Sequence, residues 1–298
     1  MCGIVGLFLK DRSLEPELGA MLTDMLVTMT DRGPDSAGIA IYRGAEAGHA
    51  RITVQSPDPA RDFDGLDQAL AKALGCPVTL RLQDTHAVLL MPADQVAAAR
   101  TALRDLRPEA RVMGAGESVE IFKETGLPAD VARRFDIASM SGSHGIGHTR
   151  MATESAVTTM GAHPFSTGPD QCLVHNGSLS NHNNLRRELI RQGMSFETKN
   201  DSEVAAAWLS ARMQAGADLG EALEGSLDAL DGFFTFVVGT RDGFGVLRDP
   251  IACKPAVMAE TDRYVAFGSE YRAMVNLPGI DAARVWEPEP ATVYFWKH

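Results

Sequence analysis

The sequence lacks long runs of positive charge and long runs of apolar residues. Its 298 residues include 28 Lys and Arg against 39 Asp and Glu, a formal net charge of -11. This balance argues against nucleic acid or an anionic membrane as the main partner. The longest apolar run, near residues 233–239, is far too short to span a bilayer. The first residues also lack the basic region of a secretory signal, so we expect a soluble, cytoplasmic protein.

Cysteine is scarce, and its spacing excludes two common uses. The four cysteines are Cys2, Cys76, Cys172 and Cys253. They form no Cys-x-x-Cys pair and no His-paired zinc spacing. We therefore expect neither a disulfide framework nor a metal site, and a reducing compartment fits. With 45% hydrophobic and 22% charged residues, the chain has an ordinary globular composition and the length of one or two domains.

The first cysteine directly follows the initiator methionine. Removal of Met1 would place the Cys2 thiol on the same residue as a free α-amino group. Such an amine has a reference pKa of about 7.7–8.0, so it can act as a general base at neutral pH. The apolar residues 4–9 suit a strand, and Gly3 lets backbone and substrate approach closely. From these residues alone, the alternative to a nucleophilic Cys2 is an inert cysteine that precedes an ordinary buried strand.

Short strands and helices with one apolar face alternate along the chain outside its middle third. Helices are predicted at residues 14–29, 185–192, 204–213 and 219–230, and strands at 39–43, 232–238, 245–247, 264–267 and 292–296. This alternation predicts two sheets with helices on their outer faces.

Residues 44–141 differ in character, because they are rich in Ala and Arg and contain no dense polar motif. Their pattern predicts strand, helix, strand, strand, helix, strand and one further strand, at 50–55, 63–74, 78–82, 87–91, 93–106, 111–113 and 119–122. This order is that of a ferredoxin-like module. A generic α/β insertion without a ligand is the alternative.

Polar residues that suit catalysis follow predicted strands after residue 142. Arg150 carries a planar, permanent cation that suits a carboxylate. Asn176 offers a side-chain amide and Gly177 can bring a backbone N–H close to a reacting oxygen, which are the two donors of an oxyanion hole. Asp201 precedes an apolar helix, and there it is either an anion for a substrate ammonium or, like Ser202, a candidate N-cap.

The motifs taken together resemble the glutamine amidotransferase domain of the N-terminal-nucleophile (class II) type. The matching pieces are Met1-Cys2-Gly3-Ile4, Arg32-Gly33-Pro34-Asp35, Gly147-His148-Thr149-Arg150, His163-Pro164, His175-Asn176-Gly177, Asn200-Asp201-Ser202-Glu203, Arg248-Asp249-Pro250 and Gly268-Ser269-Glu270. The resemblance assigns residues 2–43 and 142–298 to that domain, and 44–141 to an insertion. It implies an α+β fold, a four-layer αββα sandwich of the N-terminal-nucleophile hydrolase type with an inserted αβ module.

The resemblance also implies roles for the polar residues. Cys2 attacks the side-chain amide carbon of glutamine, while Asn176 and Gly177 hold the oxyanion. Arg150 binds the α-carboxylate of the substrate and Asp201 binds its α-ammonium.

Three more residues are expected at the substrate site, namely Arg32, Thr153 and His163. His163 precedes Pro164, so a packed loop histidine is the alternative for it. The Arg248 and Gly268 motifs are expected mainly to shape the scaffold. The chain departs from the family pattern at Asp31 and at Met151, where family members usually carry a histidine or another aromatic residue, and this alters the expected mouth of the pocket.

The resemblance extends to an assembly. The size and the insertion look like the stand-alone amidotransferase subunit of glutamate-synthase-like complexes, notably N-methylglutamate synthase. This implies that glutamine is hydrolysed to glutamate and that ammonia or the glutamyl group passes to an acceptor subunit. No cofactor is expected in this chain, and flavin and iron–sulfur groups belong to the partner. One alternative is a regulatory or scaffold subunit that binds an amino acid without turnover. Another is a self-processed hydrolase, for which Cys2 directly after Met1 leaves no room for a propeptide.

Overall fold

The structure, a computed structural model, describes residues 2–152 and 156–298. Its strands pair in antiparallel fashion and form three sheets of seven, five and four strands. The strands are β1 (Gly3–Leu9), β2 (Ser36–Tyr42), β3 (His49–Gln55), β4 (Thr79–Gln83), β5 (His86–Pro92), β6 (Arg111–Gly116), β7 (Val119–Thr125), β8 (His144–Arg150), β9 (Phe165–Gly168), β10 (Gln171–Leu179), β11 (Gly232–Thr240), β12 (Gly243–Arg248), β13 (Val257–Glu260), β14 (Tyr264–Gly268), β15 (Arg284–Trp286) and β16 (Val293–Lys297). The helices are α1 (Leu18–Thr28), α2 (Pro59–Asp62), α3 (Leu66–Leu74), α4 (Val96–Leu106), α5 (Pro128–Arg134), α6 (His182–Arg191), α7 (Asp201–Gln214) and α8 (Leu219–Ala229).

Strand β1 lies in the middle of the seven-stranded sheet, whose order is β15-β13-β14-β1-β8-β2-β7. All seven of its residues are buried. Successive side chains of a strand point to opposite faces. Accordingly, Val5 and Leu7 pack in the cluster under α1, and Ile4 and Phe8 pack on the other face. Cys2 therefore lies at the end of a strand that the sheet holds from both edges and both faces.

The five-stranded sheet, ordered β16-β12-β11-β10-β9, packs against the large sheet. One apolar cluster joins Ile4 and Ile146 of the large sheet to Val174, Val237 and Phe244 of the smaller one. On the outer side of the five-stranded sheet, helices α7 and α8 bury a second apolar cluster with Leu209 and Leu223 among its members. This packing gives a mixed α/β fold with several sheets, in which the ends of β1, β8 and β10 meet.

The third sheet has the order β4-β5-β3-β6 and its own apolar core. From β3 to β6 its elements run strand, two helices, two strands, helix, strand, and α3 and α4 supply core residues such as Leu70 and Leu103. Strand β7, although inside the predicted 44–141 region, pairs with β2 in the seven-stranded sheet from Ser36 to Tyr42. The predicted range therefore contains parts of two sheets. Alternating apolar residues mark β7 as a strand, but they do not identify its partner.

Several predicted elements differ in their bounds. The predicted helix 14–29 is divided, because a 3₁₀ turn at Arg12–Glu17 contains Pro16 and α1 begins only at Leu18. The sequence pattern did not indicate α2, α5, β9, β13 or β15, and the three strands among these have only three or four residues. Such short segments show no complete period of alternation. Within the described ranges, no helix is both long and apolar enough to cross a bilayer.

Candidate active site

Cys2 lines a cavity of about 290 Å³ at the end of β1. Its Sγ atom accepts a hydrogen bond from the backbone N–H of Met151 at 3.4 Å. Its carbonyl oxygen accepts from Arg32 Nε at 3.0 Å and from Asn176 Nδ2 at 3.1 Å. The backbone of Cys2 is thus fixed by two side chains from different parts of the chain, and its thiol faces the cavity.

The surroundings of Cys2 change the acidity of its thiol. Burial raises the pKa, but the hydrogen bond and charge of the His148 imidazole and the Met151 N–H outweigh it, so the pKa falls from 9.0 to about 7. A thiolate is the nucleophilic form of cysteine. At neutral pH a large fraction of the Cys2 side chain is therefore in the thiolate form.

Asn176, which is buried, and Gly177, which is exposed, are consecutive residues of β10 beside Cys2. The Oδ1 atom of Asn176 lies 3.1 Å from His148 Nε2; because the oxygen can only accept, this ring nitrogen carries the hydrogen. The amide nitrogen then faces Cys2 and the Ser269 Oγ atom, 3.3 Å away. Gly177 has a φ of 150°, and a Cβ atom there would lie 2.0 Å from the Phe233 carbonyl oxygen. Only glycine fits this position.

Three buried histidines lie beside the cavity, and one serine connects two of them. The His148 and His163 rings stack with centroids 4.2 Å apart. Ser202 Oγ lies 2.9 Å from His163 Nε2 and 2.8 Å from His175 Nδ1. Burial holds the pKa of His163 well below its ordinary value and lowers that of His175 to about 4. Both rings are therefore neutral at pH 7, and His163 combines a packed ring with a position on the cavity wall.

A buried lysine holds the chain on either side of His163. Lys123 Nζ on β7 donates to the carbonyl oxygens of Ala162 at 2.8 Å, Pro164 at 3.2 Å and Met160 at 3.5 Å. Burial lowers its pKa from 10.5 to about 7. This side chain fixes the path of the segment that carries His163 to the cavity.

Asp201 is the first residue of α7 but does not cap it. The N-cap is Asn200, whose side chain accepts from the Ser202 N–H at 2.8 Å. The capping alternative for Asp201 or Ser202 is therefore wrong, because α7 begins at Asp201, three residues before the predicted start at residue 204. Asp201 Oδ2 accepts from the Leu179 N–H at 2.9 Å, and the residue lines the Cys2 cavity.

Arg150 ends β8 and is buried, with 7% of its surface exposed. Its Nη1 atom donates to the carbonyl oxygen of Ala156 at 3.3 Å. Arg150, Asp201 and Gly177 line both the Cys2 cavity and a neighbouring one of about 660 Å³. A fixed cation and a fixed anion thus share a cavity with the thiol.

Seven of the eight predicted site residues line the Cys2 cavity: Cys2, Arg32, Arg150, His163, Asn176, Gly177 and Asp201. Thr153 lies outside the described residues.

The contacts of Arg32 differ from those of a substrate-binding group. Its Nη1 atom pairs with Glu270 Oε1 at 2.6 Å, and its Nε atom holds Cys2. The hydrogen bond from Arg32 lowers the pKa of the Glu270 carboxyl. Arg32 thus holds the backbone of Cys2 and also lines the cavity, and its predicted contact with substrate stays a prediction.

Sequence reasoning missed the part that Ser269 plays beside the site. Its Oγ atom accepts from the Ile4 N–H at 2.9 Å and lies next to the Asn176 amide. Lys254 also lines the cavity and stands 5.0 Å from the Phe233 ring centroid. Ser269 belongs to a motif that was expected mainly to shape the scaffold, so the motif itself was the available signal.

Comparison with known proteins places this arrangement in a family. Residues 1–62 and 148–276 match two family models, each described as a glutamine amidotransferase domain. The chain is 71% identical over 298 residues to the glutamine amidotransferase-like protein GlxB of Rhizobium meliloti (strain 1021), covering 100% of this chain and 99% of that protein. It is 30% identical over 181 residues to an amidophosphoribosyltransferase of Methanocaldococcus jannaschii, covering 60% of this chain and 38% of the relative.

A solved structure shows the same likeness in fold. The glutamine phosphoribosylpyrophosphate amidotransferase from B. subtilis, complexed with ADP and GMP, matches 99% of this chain and 47% of its own. The TM-score is 0.63 at 19% identity. The fold of the chain is thus similar to that of part of this amidotransferase. The chain belongs to the glutamine amidotransferase family and is related to its class II members.

Proposed function

We propose that this protein is a class II glutamine amidotransferase that hydrolyses the side-chain amide of glutamine to glutamate, with Cys2 as an N-terminal nucleophile. The observation that carries the proposal is the single cavity lined by Cys2, Asn176, Gly177, Arg150 and Asp201. It combines a reactive thiol, two candidate oxyanion donors and two opposite fixed charges.

The proposed reaction proceeds in two steps. The Cys2 sulfur attacks the amide carbon of glutamine, and the α-amine of Cys2 takes the thiol proton and delivers it to the leaving nitrogen. Asn176 Nδ2 and the Gly177 N–H stabilise the negative oxygen of the tetrahedral intermediate. Its collapse breaks the C–N bond, which releases ammonia and leaves a glutamyl thioester. Water then attacks the thioester carbon, and glutamate leaves as the C–S bond breaks and the thiol is restored.

Opposite charges would select the amino-acid end of the substrate. The Arg150 guanidinium would bind the α-carboxylate through its planar fork. The Asp201 carboxylate would bind the α-ammonium. Both residues also line the neighbouring cavity, so the amino-acid end would lie on that side of the thiol.

The ammonia or glutamyl group would pass to an acceptor subunit of a glutamate-synthase-like or N-methylglutamate synthase complex. In this proposal the present chain holds no cofactor, and flavin and iron–sulfur groups belong to the acceptor subunit. Support comes from the family membership and from the resemblance in size and insertion. A pull-down of the native complex, followed by an absorbance spectrum, tests it; a purified complex without flavin absorbance contradicts it.

The same proposal includes the architecture. The helix, sheet, sheet, helix succession from α1 to α7 would be the four-layer αββα sandwich of N-terminal-nucleophile hydrolases. The sheet β4-β5-β3-β6 with α3 and α4 would be its ferredoxin-like insertion.

The hydrolysis itself is tested by measuring glutamate release from glutamine by the purified chain and by its native complex. The wild type should release glutamate, and Cys2→Ala should not, although both bind glutamine. N-terminal sequencing should start at Cys2. Glutamine binding without glutamate release by chain and complex alike would instead support a regulatory or scaffold subunit, and full activity with Met1 retained would exclude the α-amine as the base.

A further inference from the structure

A second cavity, of about 360 Å³, lies where the third sheet meets strand β7. Strands β4 and β5 supply one wall with Leu80, Val88 and Leu90, and β7 supplies Glu120. None of its lining residues lines the Cys2 cavity. It is therefore a separate feature of the molecule, and nothing in the proposed glutamine chemistry uses it.

The charges of this cavity centre on one buried carboxylate. Glu120 is 2% exposed. The Nη2 atom of Arg81 lies 2.5 Å from its carboxylate, Nε of Arg51 lies at 3.4 Å and Nη1 of Arg43 lies at 3.6 Å. A second carboxylate, Glu46, reaches Arg51 at 3.5 Å from an exposed position. Three guanidinium groups therefore face two carboxylates and leave an excess of positive charge, in a chain whose formal net charge is -11.

The three arginines are not equivalent. The Arg51 side chain is 9% exposed, and its terminal nitrogens donate to the carbonyl oxygens of Glu117 and Gly44. It acts as a structural support for Glu120. The side chains of Arg43 and Arg81 are 32% and 43% exposed. Arg43 approaches Glu120 at more than hydrogen-bond distance. Arg81 donates from Nη2 to Glu120 and from Nη1 to Gln83 Oε1. Because a guanidinium has five N–H donors, each of the two arginines has further donors for a ligand.

We propose that this cavity binds a small molecule carrying a phosphate group, with the phosphate held by Arg43 and Arg81. The guanidinium fork pairs with phosphate oxygens in a bidentate manner. A phosphate monoester carries about 1.5 to 2 negative charges at neutral pH and three acceptor oxygens, so it can pair with Arg43 and Arg81 at the same time. The volume lies in the usual range of ligand pockets, about 300–1,000 Å³, and the leucine and valine wall would contact the rest of the molecule.

Calorimetric titration at constant ionic strength tests the proposal, with inorganic phosphate and glycerol phosphate as probes and succinate as a dicarboxylate comparison. The wild type should bind both phosphate probes and should bind succinate at least about tenfold more weakly. Arg43→Gln and Arg81→Gln should each weaken binding of the phosphate probes by about tenfold or more. Arg104→Gln, at an exposed position of the helix α4 that packs on the same sheet, is the matched control for loss of one positive charge and should bind like the wild type.

Glu120→Gln should change the affinity for phosphate in the opposite direction to the two arginine variants. It removes the internal anion that competes for the arginines, so phosphate should bind more tightly, provided that the variant retains its melting transition. If Glu120→Gln does not fold, the two arginine variants and the control still decide the question. Equal weakening in Arg104→Gln, equal affinity for succinate, or no binding of either phosphate probe to the wild type would overturn the proposal.

Discussion

Asn176 donates its side-chain amide to the carbonyl oxygen of Cys2, with the two atoms 3.1 Å apart. Its other amide atom is held by His148 at the same distance. The amide cannot flip without losing both bonds, so its N–H group stays directed at the residue that carries the thiol. An oxyanion formed on the substrate would compete with Cys2 for this donor.

Asn176→Asp removes the amide donor and keeps the shape of the side chain. We expect the kcat for glutamate release to fall by roughly 100-fold or more, the usual effect of losing one oxyanion donor. Ser269→Ala is the control, because it removes a neighbour of the amide and leaves the donor in place, and its effect should be smaller. Steady-state kinetics measure both; a kcat of Asn176→Asp close to that of the wild type would sink the oxyanion role.

Alkylation by iodoacetamide should follow the acidity of each thiol. With its pKa lowered to about 7, Cys2 should react at a rate that rises with pH and reaches half its maximum near pH 7, because the thiolate is the reactive form. Cys172 is the internal control, since burial raises its pKa to about 12, and it should remain unmodified. Peptide mapping over a pH series measures both. A half-maximal rate for Cys2 near 9.0, its ordinary pKa, would contradict the lowered pKa.

Arg150→Lys keeps the positive charge and loses the planar fork. We expect kcat/KM for glutamine to fall by roughly 100-fold with little change in melting temperature, because bidentate pairing with the α-carboxylate is lost. The matched control is Arg187→Lys on the exposed face of α6, which should behave like the wild type. Kinetics and thermal unfolding measure the two effects. Unchanged kcat/KM in Arg150→Lys would remove this residue from the substrate site.

Asp201→Asn separates substrate binding from helix capping. Because Asn200 is the N-cap, we expect Asp201→Asn to lower kcat/KM strongly and to leave the free energy of unfolding almost unchanged. Asn200→Ala should instead destabilise the protein by about 1 kcal/mol, the usual cost of losing a cap. Chemical denaturation and kinetics on both variants give the comparison. If Asp201→Asn loses stability and keeps its kinetics, its carboxylate is structural.

Lys123 makes stability depend on pH in a defined direction. The folded state binds this proton only below about pH 7, whereas an unfolded lysine binds it below 10.5. Between these values the unfolded state holds more protons, so this group makes the free energy of unfolding rise with pH, by at most about 1.4 kcal/mol per pH unit. The free energy of unfolding of the wild type should therefore rise relative to that of Lys123→Met from neutral to alkaline pH. Denaturation at several pH values measures it, and a constant difference would show that the buried amine keeps its ordinary pKa.

The sequence predicted the family and most of the residues that line the Cys2 cavity, because short motifs contain the chemical groups themselves. The comparisons confirm the family prediction. Arg150 ends β8 and Asp201 begins α7, close to the predicted ends of a strand and a helix, whereas Asn176 lies within β10 and not after it. The local sequence pattern was therefore sufficient to place Arg150 and Asp201.

What the sequence could not give is the pairing between distant segments. Nothing near Arg32 indicates that its guanidinium reaches Cys2 and Glu270, and nothing near Ser202 indicates that its hydroxyl joins two histidines. The partner of strand β7 could not be predicted either, because the alternation of apolar residues indicates which side chains are buried and does not indicate which strands pair. The helix cap was missed because Asn200 and Asp201 are both good caps in isolation, and only the backbone geometry decides between them.

Strand β1 pairs with β8 from Gly3 to Phe8 and with β14 from Val5 to Leu9. Chain ends usually fray, but an opening here would break two ladders of hydrogen bonds at once. The amide protons of this strand should therefore exchange with deuterated solvent only when the whole domain opens. Cys2 directly precedes this slow-exchanging segment, so its backbone has little freedom to move. An affinity tag fused ahead of Cys2 would occupy the α-amino group that the proposed mechanism uses as its base, at a residue that lines the cavity.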